Sequence, residues 1–273
     1  MNKRKNYKEK FLIEIMKVNE KRGQVTIFVI VAMVIVVLIA LFFLFRPNIM
    51  KVFEGGFSPN TYLTSCVEPE IKPAVEELSN QGGYRSPEGY TLRDGTKIQY
   101  LCYTDKYYET CTIQQPMTKQ HFEKELNLML KGKANGCMNS LIEEYKKRGY
   151  EVSSGGVNSE VSIVPGKILV TYSAPLTIKM ETTQTFNNFE VEMKSEIYDL
   201  LFIASSIVEY ESKLGDSATE LYLQYYPDLK IEKAKLSDGT KIYELSNVVT
   251  GEKFKFASRS LAWPAGYGLE QKT

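Results

Sequence analysis

Few residues in this chain could do chemistry. Its cysteines are Cys66, Cys102, Cys111 and Cys137, and its only histidine is His121. An even cysteine count beyond a membrane anchor points to disulfides. Three pairings are open. Cys102 and Cys111 bracket a short polar loop after a strand, so they are expected to pair. That leaves Cys66 with Cys137, which would staple two helices and contribute about 4 kcal/mol by restricting the unfolded chain. Free buried thiols and a metal site compete with this reading. The metal is the weaker of the two, because no cysteine pair has C-x-x-C spacing and His121 stands apart from every cysteine. A Ser-His or Cys-His hydrolase would have to use His121, which lies between Lys119 and Lys124 on a lysine-rich helix, a pattern typical of a solvated face. No phosphate-binding glycine loop and no G-x-S-x-G elbow is present. Glu76 with Glu77 and Glu143 with Glu144 read as surface charge. No catalytic residue, cofactor or metal ligand is therefore expected. Tyrosines cluster at Tyr100, Tyr103, Tyr107 and Tyr108, and again at Tyr222, Tyr225 and Tyr226. Such clusters either form an adhesive surface or are half-buried strand residues.

What must position these residues is a domain beyond a membrane span. Val25–Phe45 holds 21 residues without a charge, with Thr26 as its only polar side chain. As a helix it would cross a hydrocarbon core of roughly 30 Å. Residues 1–22 carry eight bases and three acids, which keeps the N-terminus cytoplasmic and sends the rest outside. The outer part is mildly acidic, which argues against nucleic acid as a partner. The expected layout is a cytoplasmic basic leader at 1–23, a transmembrane helix at 24–46, a stalk at 47–60 and an extracytoplasmic domain at 61–273. A subdivision near 150 is compatible with its length. The leader reads either as an amphipathic helix on the inner membrane surface or as a disordered basic segment.

The fold class expected outside is α+β, with antiparallel strands and several helices. A helix starts at Asn60 or Thr61 and stops at Gln81-Gly82-Gly83, with a kink or break expected at Pro69 and Pro73. A hairpin turns at Asp94-Gly95. A long helix runs from Thr118 to Arg148-Gly149, weakened by Gly132 and Gly136. Strands follow at Tyr150 to Ser153, Ser159 to Val164, Lys167 to Met180 and Phe189 to Met193. A helix spans Glu196 to Leu214, and three strands close the chain through an Asp238-Gly239 turn. Leu92–Ile98 and Leu236–Ile242 agree at six of seven positions. Two independent turns with shared chemistry explain this better than a duplicated unit.

The junction Lys21-Arg22-Gly23-Gln24-Val25-Thr26-Ile27-Phe28 resembles the class III processing site of archaeal type IV pilin-like precursors. That resemblance implies cleavage between Gly23 and Gln24; an uncleaved signal-anchor is the alternative. The fifth residue after the cut would be Phe28, not the glutamate of the bacterial pattern. Together with Cys66, Gln81-Gly82-Gly83-Tyr84, Cys137 and Phe254-Lys255-Phe256-Ala257, this junction makes the chain similar to uncharacterised single-span exported proteins of small-genome archaea. The expected function is a non-enzymatic cell-surface or envelope module in the cell membrane. Its partners would be the lipid bilayer through residues 25–45 and either itself or an envelope protein. A membrane-tethered hydrolase using carboxylates on an envelope polymer is the alternative.

Overall fold

The computed structural model describes residues 28–38 and 58–264. The chain divides into two units, at residues 1–58 and 59–273, and each is described by itself. In the first, residues 28–38 form helix α1, whose apolar side chains are all exposed. Among the described residues no helix is long and apolar enough to cross a membrane. The expected span, 24–46, extends on both sides of α1 beyond the described residues. The leader, the Gly23-Gln24 junction and most of the expected stalk also lie outside them.

The second unit is α+β, with one mixed and one antiparallel sheet. It opens with α2 (Pro59–Asn80), which begins earlier than expected because Pro59 suits the first helical position. The helix passes Pro69 and Pro73 without a break. Both prolines lie on its exposed side, so the carbonyls they leave unbonded can be hydrated. Gln81-Gly82-Gly83 ends it as expected: the Gly83 amide returns to the Leu78 carbonyl at 2.8 Å, and both glycines have positive φ.

The first sheet contains β1 (Tyr90–Arg93), β2 (Thr96–Tyr103), β3 (Thr112–Ile113), β8 (Leu229–Lys235), β9 (Thr240–Asn247) and β10 (Lys253–Arg259). Its order is β1-β2-β10-β9-β8, with β3 also on β2. The last strand thus inserts between the first hairpin and the closing one. It pairs parallel with β2 and antiparallel with β9. The second sheet is antiparallel, with β6 (Lys167–Lys179) flanked by β7 (Thr183–Lys194) on one edge and by β5 (Asn158–Val164) and β4 (Glu151–Ser154) on the other. The β6–β7 register slips between Ser173 and Leu176, where Pro175 cannot donate to the ladder.

Three more helices complete the unit: α3 (Thr118–Lys147), α4 (Ile197–Leu214) and the short α5 (Glu220–Tyr225). Gly132 and Gly136 do not interrupt α3, which packs along α2 and over β4 and β5. Helix α4 lies against β10, β2, β3 and β9. Phe122 of α3, Phe254, Phe256 and Tyr243 form an aromatic run between helix and sheet, with ring centroids 5.0–6.3 Å apart.

The two Asp-Gly turns differ in conformation. At β1–β2 both Asp94 and Gly95 have positive φ, whereas at β8–β9 only Gly239 does. There the Asp238 carboxylate accepts from the Thr240 amide and hydroxyl, both at 2.9 Å. The seven-residue similarity thus falls on two turns of different conformation.

Candidate binding surface

The structure joins Cys66 to Cys137 and Cys102 to Cys111, leaving no free cysteine among the described residues. The first bridge ties α2 to α3. The second closes the loop between β2 and β3, and it has a wider role, because this loop carries one of the tyrosine clusters.

Tyr103 lies at the end of β2, and Tyr107 and Tyr108 lie on the loop. Trp263, the sole tryptophan, arrives from beyond β10 and places its ring 6.3 Å from that of Tyr108. Tyr103, Tyr107, Tyr108 and Trp263 are 38, 47, 54 and 51% exposed. Such an aromatic set on the surface is unusual, since rings of this size normally bury most of their area.

The loop beneath them is fixed from several directions. Arg259 is buried at the end of β10; its Nη1 donates to the Thr104 carbonyl at 2.5 Å and to that of Lys106 at 3.3 Å, and its Nε donates to the Asp238 carbonyl at 2.9 Å. The same guanidinium lies over the Tyr107 ring, 5.3 Å from its centroid. The Thr104 amide donates to the Arg259 carbonyl, the Tyr108 amide to that of Ala262 and the Leu261 amide to that of Glu109. Tyr108 and Leu261 both have positive φ, so this course of the backbone is held by its contacts rather than by intrinsic preference.

Behind the disulfide lies a buried polar cluster. Glu211 of α4 is 0% exposed. One carboxylate oxygen accepts from Lys241 Nζ at 2.6 Å and Ser258 Oγ at 3.1 Å; the other accepts from the Tyr243 hydroxyl and the Ser217 amide. Lys241 Nζ also donates to the Gly215 carbonyl and lies 3.4 Å from Asp216 Oδ1. Ser260 Oγ donates to the Glu211 carbonyl and accepts from the Cys111 amide at 3.0 Å. The disulfide loop is thereby bonded to α4 through β10. Burial and the adjacent Glu211 carboxylate keep the Tyr243 phenol well above its ordinary pKa. Asp216 stands below the usual carboxylate range: burial works the other way and is outweighed by Lys233, Lys241 and Lys235. Every charge here has a partner, so the cluster acts as a structural tie.

Among the described residues, His121 meets no nucleophile or acid in a hydrogen bond. Its ring packs on Tyr84, 4.0 Å between centroids, and its buried Nε2 has no hydrogen-bond partner. Burial lowers its pKa against the pull of Glu125. Among the described residues no group of three or more histidine, cysteine or acidic side chains could hold a metal. Tyr222 bonds Ser206 at 2.9 Å, while Tyr225 and Tyr226 line a groove of about 250 Å³ with Glu196, Asp199 and Asp228.

Arg259, Trp263, Glu211 and Lys241 were not singled out by sequence reasoning. No local pattern marks them: Glu211 meets Lys241 across 30 residues of chain, and Arg259 meets Asp238 and Thr104 across 21 and 155. No family model, curated protein or solved structure matches the chain. The two disulfides are consistent with an extracytoplasmic domain.

Proposed function

We propose that this chain is a membrane-anchored, extracytoplasmic, non-enzymatic surface module that binds an envelope partner through the aromatic loop. The observation that carries this reading is the exposed set Tyr103, Tyr107, Tyr108 and Trp263 on a backbone pinned by a disulfide and by Arg259. Rigid amphipathic rings supply contact area with little side-chain entropy to lose, and a preformed loop has little backbone entropy left to lose. The anchor is the apolar run 25–45, entering the membrane with the N-terminus inside. The leader is removed after Gly23, in the manner of the pilin-like precursors that the junction resembles.

Crosslinking of the native membrane protein followed by mass spectrometry tests the reading. The expected result is an envelope partner joined through the Tyr103–Tyr108 loop or Trp263; recovery of uncrosslinked monomer alone at native abundance would contradict it. N-terminal sequencing should begin at Gln24, and an intact Met1 would leave an uncleaved anchor. A second reading, a tethered hydrolase, draws on Glu196, Asp199 and Asp228 lining one groove. It requires envelope polymer to be cleaved by wild type and spared by Asp199→Asn with Asp228→Asn.

A further inference from the structure

Strand β7 pairs with β6 from Thr183 to Lys194, with a register shift opposite Asn187, and among the described residues it has no other ladder. Among the described residues, no backbone hydrogen bond to another strand engages its outer edge. The two halves of the strand differ. In the inner half, Phe189-Glu190-Val191-Glu192-Met193-Lys194, Phe189 and Val191 are buried and charges alternate with them. In the outer half, Thr183-Gln184-Thr185-Phe186-Asn187-Asn188, there is no charge and no proline, and every residue but the half-buried Phe186 is exposed.

Free edges are normally protected by charge, proline, a bulge or short length. The other edges here follow that rule. Strand β8 carries Lys230, Glu232, Lys233 and Lys235; β1 carries Arg93, β4 Glu151 and β5 Glu160; β3 has two residues. Among the described residues, the outer half of β7 carries none of these charges; apart from the register shift opposite Asn187, its backbone donors and acceptors lie beside threonine, glutamine and asparagine.

We infer that Thr183–Asn188 pairs antiparallel with the same segment of a second copy, about a two-fold axis at Thr185. The segment is neutral and can pair with itself, and this register is one that meets no charge conflict. Centred on Thr185, the pairing sets Thr183 opposite Asn187 and Gln184 opposite Phe186, and it places Glu181 opposite Phe189, so no like charges meet. Centred on Val191, it would set Glu190 against Glu192, which is repulsive. A peptide rich in charge would find no counter-charge on this stretch. The two-fold operation closes after two copies, so the edge is consumed without forming a filament. This inference goes beyond the aromatic loop and does not depend on it.

The test uses the full-length chain in detergent with a photo-crosslinking amino acid at position 185. The expected product is a dimer whose crosslinked peptide maps to residues 183–188 of the second copy. Thr183→Lys with Asn187→Lys places lysines opposite one another twice and should lower the dimer yield by about tenfold or more, with an unchanged unfolding midpoint. Crosslinks that map outside β7, absence of dimer, or a yield that the lysines leave unchanged would overturn the inference. If the lysine variant is destabilised, the crosslink map in the otherwise wild-type chain decides. Tyr107→Ala with Tyr108→Ala should leave the crosslink intact, which separates this result from the fate of the loop.

Discussion

Lys241→Met should be among the most damaging single substitutions outside the apolar core. Lys241 is 6% exposed, and its ammonium group satisfies Glu211, which is 0% exposed and cannot rehydrate where it stands. Methionine keeps most of the side-chain volume, so packing is little altered. What remains is a buried carboxylate without its counter-charge, held by the Tyr243 hydroxyl, the Ser217 amide and Ser258. Breaking a buried pair in this way costs about 3–5 kcal/mol. For a unit of this size that lowers the midpoint of unfolding by about 10 °C. Urea titration of the full-length chain in detergent, followed by Trp263 fluorescence, reads the second unit, because this tryptophan is the only one in the chain. Glu211→Gln removes the stranded charge, so the pair Glu211→Gln with Lys241→Met should lose less than Lys241→Met alone. A Lys241→Met loss below about 1 kcal/mol, or a double variant worse than the sum of the singles, would mean that Glu211 does not depend on Lys241 for its buried charge.

Stability should fall at both ends of the pH scale. Asp216 has a depressed folded pKa, so its contribution is present above its ordinary value of 3.8 and fades as pH drops below it. Because Asp216 is half exposed, that loss should stay below about 1 kcal/mol. Tyr243 and Tyr172 have raised folded pKa values, chiefly through burial, so their contribution should be constant below pH 10.0 and fall above it. The slope is about 1.4 kcal/mol per pH unit for each phenol; unchanged urea midpoints from pH 9 to 11 would contradict this. Gly239→Ala should destabilise by about 2 kcal/mol, since Gly239 has φ +86° and a Cβ there would lie 2.4 Å from that of Ala262. It should also shift the emission of the adjacent Trp263. Cys102→Ala with Cys111→Ala should lose about 2–3 kcal/mol and expose the loop to protease, with cleavage within residues 103–110 as the readout.

Much of this fold was legible along the chain. The α+β class, nearly every strand, the three long helices and both cysteine pairs follow from periodicity, turn chemistry and spacing. These signals are local, or depend on pairing a small set of cysteines. The sheet order was not legible. Nothing in Phe254-Lys255-Phe256-Ala257 says that this strand enters between β2 and β9, because its alternation would suit either edge. The span of β7 was underestimated, since Thr183–Asn188 faces solvent on both sides and shows no alternation to read. The aromatic surface was half legible. The tyrosines were visible as a cluster, but Trp263 and Arg259 reach it only through the return of β10. Glu211 and Lys241 carry no local mark of burial, and only tertiary packing buries them.

Binding of isolated cell envelope by the full-length chain, wild type against Tyr107→Ala with Tyr108→Ala and Trp263→Ala, reads the aromatic loop as a binding surface. The three rings are the exposed centre of the proposed surface, and removal of such anchors commonly weakens a contact by 2 kcal/mol or more, on the order of thirtyfold in affinity. The account predicts a loss of at least about tenfold in bound fraction at limiting envelope, with the urea midpoint preserved. Undiminished binding by the folded triple variant would contradict it.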